Sequence, residues 1–149
     1  MNALTQLPEG FTSPGEVVKF FQDELTKLPQ TVVFHTKHHF ANGMYCRELL
    51  IPKNVLAVGK CHKQEHLFMV LQGTLKVFSN AGVQEFTAPA IVVSQPGIKR
   101  VVYAVDDVVC AVVHKTDNTN LDDIEEEVME KELFSAYDSS NNLKVLEKQ

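Results

Sequence analysis

The spacing of apolar positions changes twice along the chain. Val17, Phe21, Leu25 and Leu28 recur at i, i+4, i+8 and i+11, the repeat of one helix face. Before them, Ser13-Pro14 reads as an N-cap with proline at the first helical position. Glu16 falls in the first turn and Pro29 closes the run. The pattern predicts a helix within residues 13–29, after an irregular lead-in broken by Pro8 and Gly10. From Thr31 the repeat shortens to brief runs of Val, Ile, Phe and Thr, cut at close intervals by Gly, Pro, Asn and Asp. These predict strands at Thr31–Phe34, Met44–Ile51, Val55–Val58, His66–Gln72, Thr74–Phe78, Gln84–Thr87, Ala90–Ser94, Arg100–Val105 and Val108–His114. "SNAGVQ" and "VDDVV" are the turns of two hairpins.

After His114 the helical repeat returns. Asn120 or Thr119 caps it, Asp122, Asp123 and Glu125 sit near its positive end, and Leu121, Ile124 and Val128 form a narrow apolar stripe. A helix is expected over 119–136, its acidic run a solvated face, followed by a polar tail over 137–149. The whole, residues 1–149, reads as one domain: helix, all-β sandwich or barrel over 31–116, helix.

Composition narrows the function. A hydrophobic content of 44% and a charged content of 22% are those of an ordinary globular chain. The net charge of −5 speaks against a nucleic-acid partner. No apolar run approaches the roughly 20 residues that span a bilayer, and the first residues carry no basic-then-apolar leader, so a cytoplasmic protein is expected. Cys46, Cys61 and Cys110 are odd in number and lack CxxC spacing, which points to buried free thiols.

The stretch "GKCHKQEHLFMVLQG", Gly59 to Gly73, concentrates the candidate chemistry. If Lys60, His62, Gln64 and His66 lie on a strand or across a bend, alternation turns all four into the barrel and Cys61, Lys63 and Glu65 away from it. Other candidates for lining such a pocket are His38 or His39, Tyr45, Arg47, Arg100, Tyr103 and His114. Cys61 adjoins His62, but neighbouring strand residues face opposite ways, which disfavours a cysteine nucleophile.

Gly43 to His114 resembles the cupin family, a double-stranded β-helix jelly roll whose first motif is G-x5-H-x-H-x3-E-x6-G and whose second is G-x5-P-x-G-x2-H-x3-N. Anchored on Gly73, His66 takes the glutamate position, His62 the second histidine and Lys60 the first. In "SQPGIKR", Gly97 is in place, Gln95 stands at the proline and Arg100 at the third histidine. The chain is also similar to small cupin-like proteins often encoded by bacteriophages. That likeness lies in "HHF-x2-G-x-Y-x-RE" from His38, "H-x3-HL" from His62, "PG-x-KR" from Pro96 and "D-x-V…H-x-TD" from Asp106. It implies a mainly β jelly roll with flanking helices, and says more of fold than of function.

Three functions stay open. Lys60, Arg100 and Arg47 beside the histidines fit a basic pocket for a small anionic or polar ligand, with a histidine as general acid or base. His62 and His66 supply two ligands of a divalent metal, and His39, Glu48 or His114 a third. Against metal, Lys60 and Arg100 stand where ligands would, and like charges about 4 Å apart repel by ~4 kcal/mol at an effective dielectric of 20. The last function is a silent structural or interaction module, for instance of a phage assembly. There Lys60 reaches the rim, Arg100 pairs with Glu48 or Asp106, and His114 is a satisfied core residue. The expected partners are a second copy, giving a homodimer, and a phage or host protein. The expected place is the host cytoplasm or a virion.

Overall fold

The computed structural model describes residues 9–27, 35–79 and 82–130. Helix α1 runs Pro14–Lys27. The Glu16 amide donates to Ser13 Oγ at 3.3 Å, while the Glu16 carboxylate accepts from the Thr12 amide and hydroxyl at 2.7 and 2.8 Å. Two donors left over at the helix start are thereby satisfied. Val17 and Val18 are buried, and the Phe21 ring meets Phe78 at 6.0 Å between centroids.

Nine strands follow: β1 (His35–Ala41), β2 (Met44–Ile51), β3 (Leu56–Val58), β4 (His66–Gln72), β5 (Thr74–Ser79), β6 (Gly82–Thr87), β7 (Ala90–Ser94), β8 (Arg100–Ala104) and β9 (Val108–Lys115). They form two antiparallel sheets, ordered β1-β2-β9-β4-β7 and β3-β8-β5-β6, so the molecule is mainly β. Helix α1 packs on β3, β5 and β8, on the outside of the smaller sheet.

Alternation sets what lies between the sheets. Tyr45, Arg47, Leu49 and Ile51 of β2 stand opposite His114, Val112, Cys110 and Val108 of β9, all on the inner face. Leu75, Val77 and Ser79 of β5 stand opposite Ala104, Val102 and Arg100 of β8 on the inner face of the other sheet. The core formed by Ile51, Phe68, Val70, Leu75, Val77, Ala104, Val108 and Cys110 is thus assembled from both.

Gly73 joins β4 to β5 at φ +79°, and a β-carbon there would lie 2.4 Å from the carbonyl oxygen of Asp107. Only glycine fits that approach.

Strand β1 has no counterpart among the expected strands, and the strand expected at Thr31–Phe34 lies outside the described residues. The β1 sequence, HTKHHFA, lacks apolar alternation because this edge strand is only partly buried, at Thr36 and His38, and exposed elsewhere. Helix α2 spans Leu121–Val128, shorter than the 119–136 expected. Asn120 caps it, accepting from the amides of Asp122 and Asp123 at 3.0 and 3.2 Å. Backbone pairing ends it: Lys63 N donates to Val128 O at 2.8 Å, Glu130 N donates to Cys61 O at 2.9 Å, and Met129 bridges His62. Those bonds hold the chain extended just where a longer helix would continue. The rest of that helix and the tail over 137–149 lie outside the described residues. Among the described residues, no helix is long and apolar enough to cross a membrane.

Candidate functional site: a three-histidine centre at one end of the barrel

Three histidines come from three different places. His66 opens β4 and His114 lies near the end of β9; Leu67 pairs with Val113, so the two rings meet one step further along. His62 lies in the link from β3 to β4, where Gly97 N donates to its carbonyl oxygen at 2.9 Å. The His62 ring stacks on His66 at 4.1 Å and on His114 at 4.8 Å, and the His66 and His114 rings lie 4.6 Å apart at a tilt of 30°. All three are buried, His114 completely.

Their hydrogen bonds decide what the rings offer. A carbonyl only accepts, so the 2.9 Å contact between His66 Nδ1 and Gln64 O places the proton on Nδ1. His66 Nε2 is then a bare lone pair, buried and without a hydrogen-bond partner. His62 Nδ1 and His114 Nε2 are 2.9 Å apart, and His114 Nδ1 is likewise buried without a partner. Burial keeps the rings neutral. It pushes the pKa of His114 down to about 3, with the neighbouring His66 and Arg47 adding to the effect. His62 and His66 lie below the usual imidazole range for the same first reason, and the charges of Arg47 and Arg100 act on both in the same direction.

The three residues together present one nitrogen each, all within 4.8 Å of one another. Nitrogens on one tetrahedral ion stand about 3.4 Å apart, given metal–nitrogen bonds of about 2.1 Å. The widest pair therefore exceeds that separation by at most about 1.4 Å. Neutral imidazoles, one of them aimed by a backbone carbonyl behind it, form a donor set that suits a divalent transition metal.

Beyond the histidines lies a cavity of about 110 Å³, lined by His62, Lys60, Arg47 and Arg100 at its polar end and by Leu49, Ile51, Phe68, Leu75, Val102, Cys110 and Val112 along its walls. Arg100 donates to Ser94 Oγ and sits over the Phe68 ring at 5.3 Å. Arg47 is 5% exposed and its Nε has no partner. Lys60 is buried, its ammonium 2.6 Å from the Glu125 carboxylate on α2. Burial pushes the Cys110 thiol up to about 12, so it serves as an apolar wall.

The arrangement expected from the sequence is changed in five respects. Residues 59–65 are not a strand, so Lys60, His62, Gln64 and His66 do not alternate: Cys61 is buried, and Gln64 gives the site its carbonyl oxygen while remaining part-exposed. Tyr103 lies on the outer face of β8, its hydroxyl bonded to Asn54 at 3.0 Å. His39 and Glu48 face each other at 3.5 Å on the exposed side of β1 and β2, away from the other histidines; His114 stands in the third position. Glu125, assigned to a solvated face, instead reaches the buried Lys60. Neither Glu48 nor Asp106 meets Arg100; Ser94 does. Tyr45 sits beside the centre, covered by Ile124, Val128 and Met129, with its hydroxyl 2.7 Å from His38 Nδ1.

No protein-family model matches the sequence. No curated protein matches it either. Solved structures match in shape. The EutQ protein of Clostridium difficile superposes with a TM-score of 0.50 at 18% identity, over 62% of this chain and 75% of that one. A cupin-2 domain-containing protein from Shewanella frigidimarina gives 0.47 at 13% identity, over 64% and 92%. The cupin domain of Schizosaccharomyces pombe Cnp3 gives 0.46 at 18%, over 60% and 67%. The chain has the cupin fold, with its two facing antiparallel sheets and the histidine centre at one end.

Proposed function

We propose that this protein is a small-molecule-binding module of the cupin fold, in which the barrel pocket takes a small anionic ligand beside a divalent metal ion held by His62, His66 and His114. The observation that carries the metal is the His66 Nε2 lone pair, fixed by the Gln64 carbonyl, buried, unpartnered and turned towards two further buried imidazoles. The charge balance supports the anion. Glu125 offsets Lys60, but among the described residues no carboxylate reaches Arg47 or Arg100. A dication beside two guanidinium groups in a low-dielectric pocket calls for negative charge from the ligand. When bound, the metal supplies a Lewis acid and a fixed point for an anionic oxygen.

Elemental analysis of purified protein, then zinc titration after chelator treatment, tests the metal. One equivalent held by the wild type and lost in His66→Ala is expected. Uptake below about a tenth of an equivalent overturns it, because a preformed three-imidazole site binds zinc stoichiometrically at micromolar concentrations.

A second reading, an assembly module formed from two copies, is favoured by β7. This edge strand, Ala90-Ile-Val-Val-Ser94, carries no charge or proline, and Ile91 and Val93 are 70% and 56% exposed on it. The opposite edge, β1, is guarded by Lys37 and three histidines. An unguarded edge pairs with its own symmetry mate in a closed two-fold dimer. Sedimentation of wild type and Val93→Lys tests it: a dimer that the lysine dissociates supports it, and a monomeric wild type overturns it.

A further inference from the structure

Arg47 and Arg100 enter the barrel from facing sheets, and both strands run from a cation into apolar wall. On β2 the inner face reads Arg47, Leu49, Ile51; on β8 it reads Arg100, Val102, Ala104. β8 turns into β9 through residues 105–107, and Val108 stands opposite Ile51, so the two apolar ends coincide and the two guanidinium groups share the other end. Arg47 is 5% exposed, with Nε buried and unpartnered in a cavity of about 110 Å³. A guanidinium so placed is largely withdrawn from solvent, and among the described residues no carboxylate reaches it, which is costly unless a ligand provides the acceptor.

We infer that the ligand is a monocarboxylate with a short hydrocarbon tail, its head held by Arg47 and Arg100 and its tail lying among Ile51, Phe68, Leu75 and Val102. The inference deepens the proposal that the barrel cavity is a ligand site and rests on it, but not on the metal. A carboxylate matches the planar fork of a guanidinium with two parallel hydrogen bonds. A phosphate needs further donors for its remaining oxygens, yet the Lys60 ammonium at that end is held by Glu125 and the walls beyond are apolar. An amine is repelled, and a neutral amide leaves the guanidinium charge uncompensated.

The test is calorimetry with acetate through hexanoate, pentanamide and inorganic phosphate, on the full chain with and without zinc. Affinity is expected to rise about fourfold per methylene until the tail fills the cavity. Pentanamide should bind at least about tenfold more weakly than pentanoate, and Arg47→Gln should cost pentanoate a similar factor. Because Arg47→Gln can itself loosen the barrel, Arg100→Gln and the wild-type pentanoate-to-pentanamide ratio carry the same test without it. Equal binding of pentanoate and pentanamide, no gain with tail length, or phosphate binding as tightly as pentanoate overturns the inference. Pentanoate bound equally by zinc-free protein supports the arginine clamp even if the metal proposal fails. Pentanoate bound only when zinc is present overturns the clamp and leaves the metal proposal standing.

Discussion

His66 donates its Nδ1 proton to the carbonyl oxygen of Gln64 at 2.9 Å, and this one bond decides which nitrogen faces the barrel. The Gln64 side chain is not needed for it; the backbone of an irregular link does the work. The link is itself held in place, because His62 O accepts from Gly97 N and Lys63 N donates to Val128 O. The orientation of a site histidine is therefore tied to α2 and to the loop before β8, as is usual for the groups behind metal ligands.

Zinc is expected to stabilise the wild type and leave His66→Ala unmoved. At a free concentration one hundred times Kd, the gain in unfolding free energy is about 2.7 kcal/mol. A thermal melt with and without the ion measures it. An equal shift in both proteins would place the ion elsewhere.

Metal-free protein should lose stability as pH falls. The imidazoles are neutral when folded, with His114 down at about 3 and His62 also well depressed, whereas the unfolded chain protonates them near 6.5. The unfolded state therefore binds more protons below pH 6.5, and stability is present above that value and is lost as the pH falls towards 3. Between pH 7 and 5.5 each of the two contributes a loss of about 1 kcal/mol, with His66 adding in the same direction. Urea unfolding at the two values checks this; an unchanged midpoint would mean that the rings titrate in the folded protein as they do in the unfolded chain.

Glu125→Gln removes the carboxylate beside the buried Lys60 ammonium. The expected cost is about 2–3 kcal/mol, and Lys60→Met with Glu125→Leu should recover most of it, since exchanging both partners for apolar groups is often near neutral. A double-mutant cycle by denaturant unfolding decides the matter. A pair with no coupling would assign the contact to the solvated surface.

Gly73→Ala and Gly97→Ala share a positive φ of +79° but differ in space. Alanine at 97 meets nothing within 4 Å and should cost about 1–2 kcal/mol for the left-handed backbone alone. At 73 it meets the Asp107 carbonyl and should cost clearly more. Equal melting temperatures for the two variants would contradict the close approach.

Much of this molecule is legible in its sequence because burial on one face writes itself as periodicity. Met44–Ile51, His66–Gln72 and Ala90–Ser94 are strands with the bounds their alternation predicts, and Ser13 and Asn120 sit where caps belong. Local pattern failed where a segment is shaped by partners distant in sequence. The β1 segment is a strand because β2 offers it an edge, not because its own residues alternate. Helix α2 stops at Val128 because residues 61–63 capture the backbone that follows.

The candidate site divides the same way. His62 and His66, at a cupin-like spacing, and the basic character of the pocket are present in the sequence itself. The third ring is not: His39, Glu48 and His114 are all plausible in one dimension, and register alone chooses, putting His114 against His66 and sending His39 and Glu48 to the outer face. The charges are settled the same way. Lys60 and Arg100 look equivalent in the sequence, yet Lys60 is matched by Glu125 across 65 residues, while Arg47 and Arg100 are left facing a cavity. By itself the sequence determined most of the strands and which side chains are available. Only the tertiary structure decided which of them meet, because strand pairing and helix docking join residues whose separation along the chain carries no local signal.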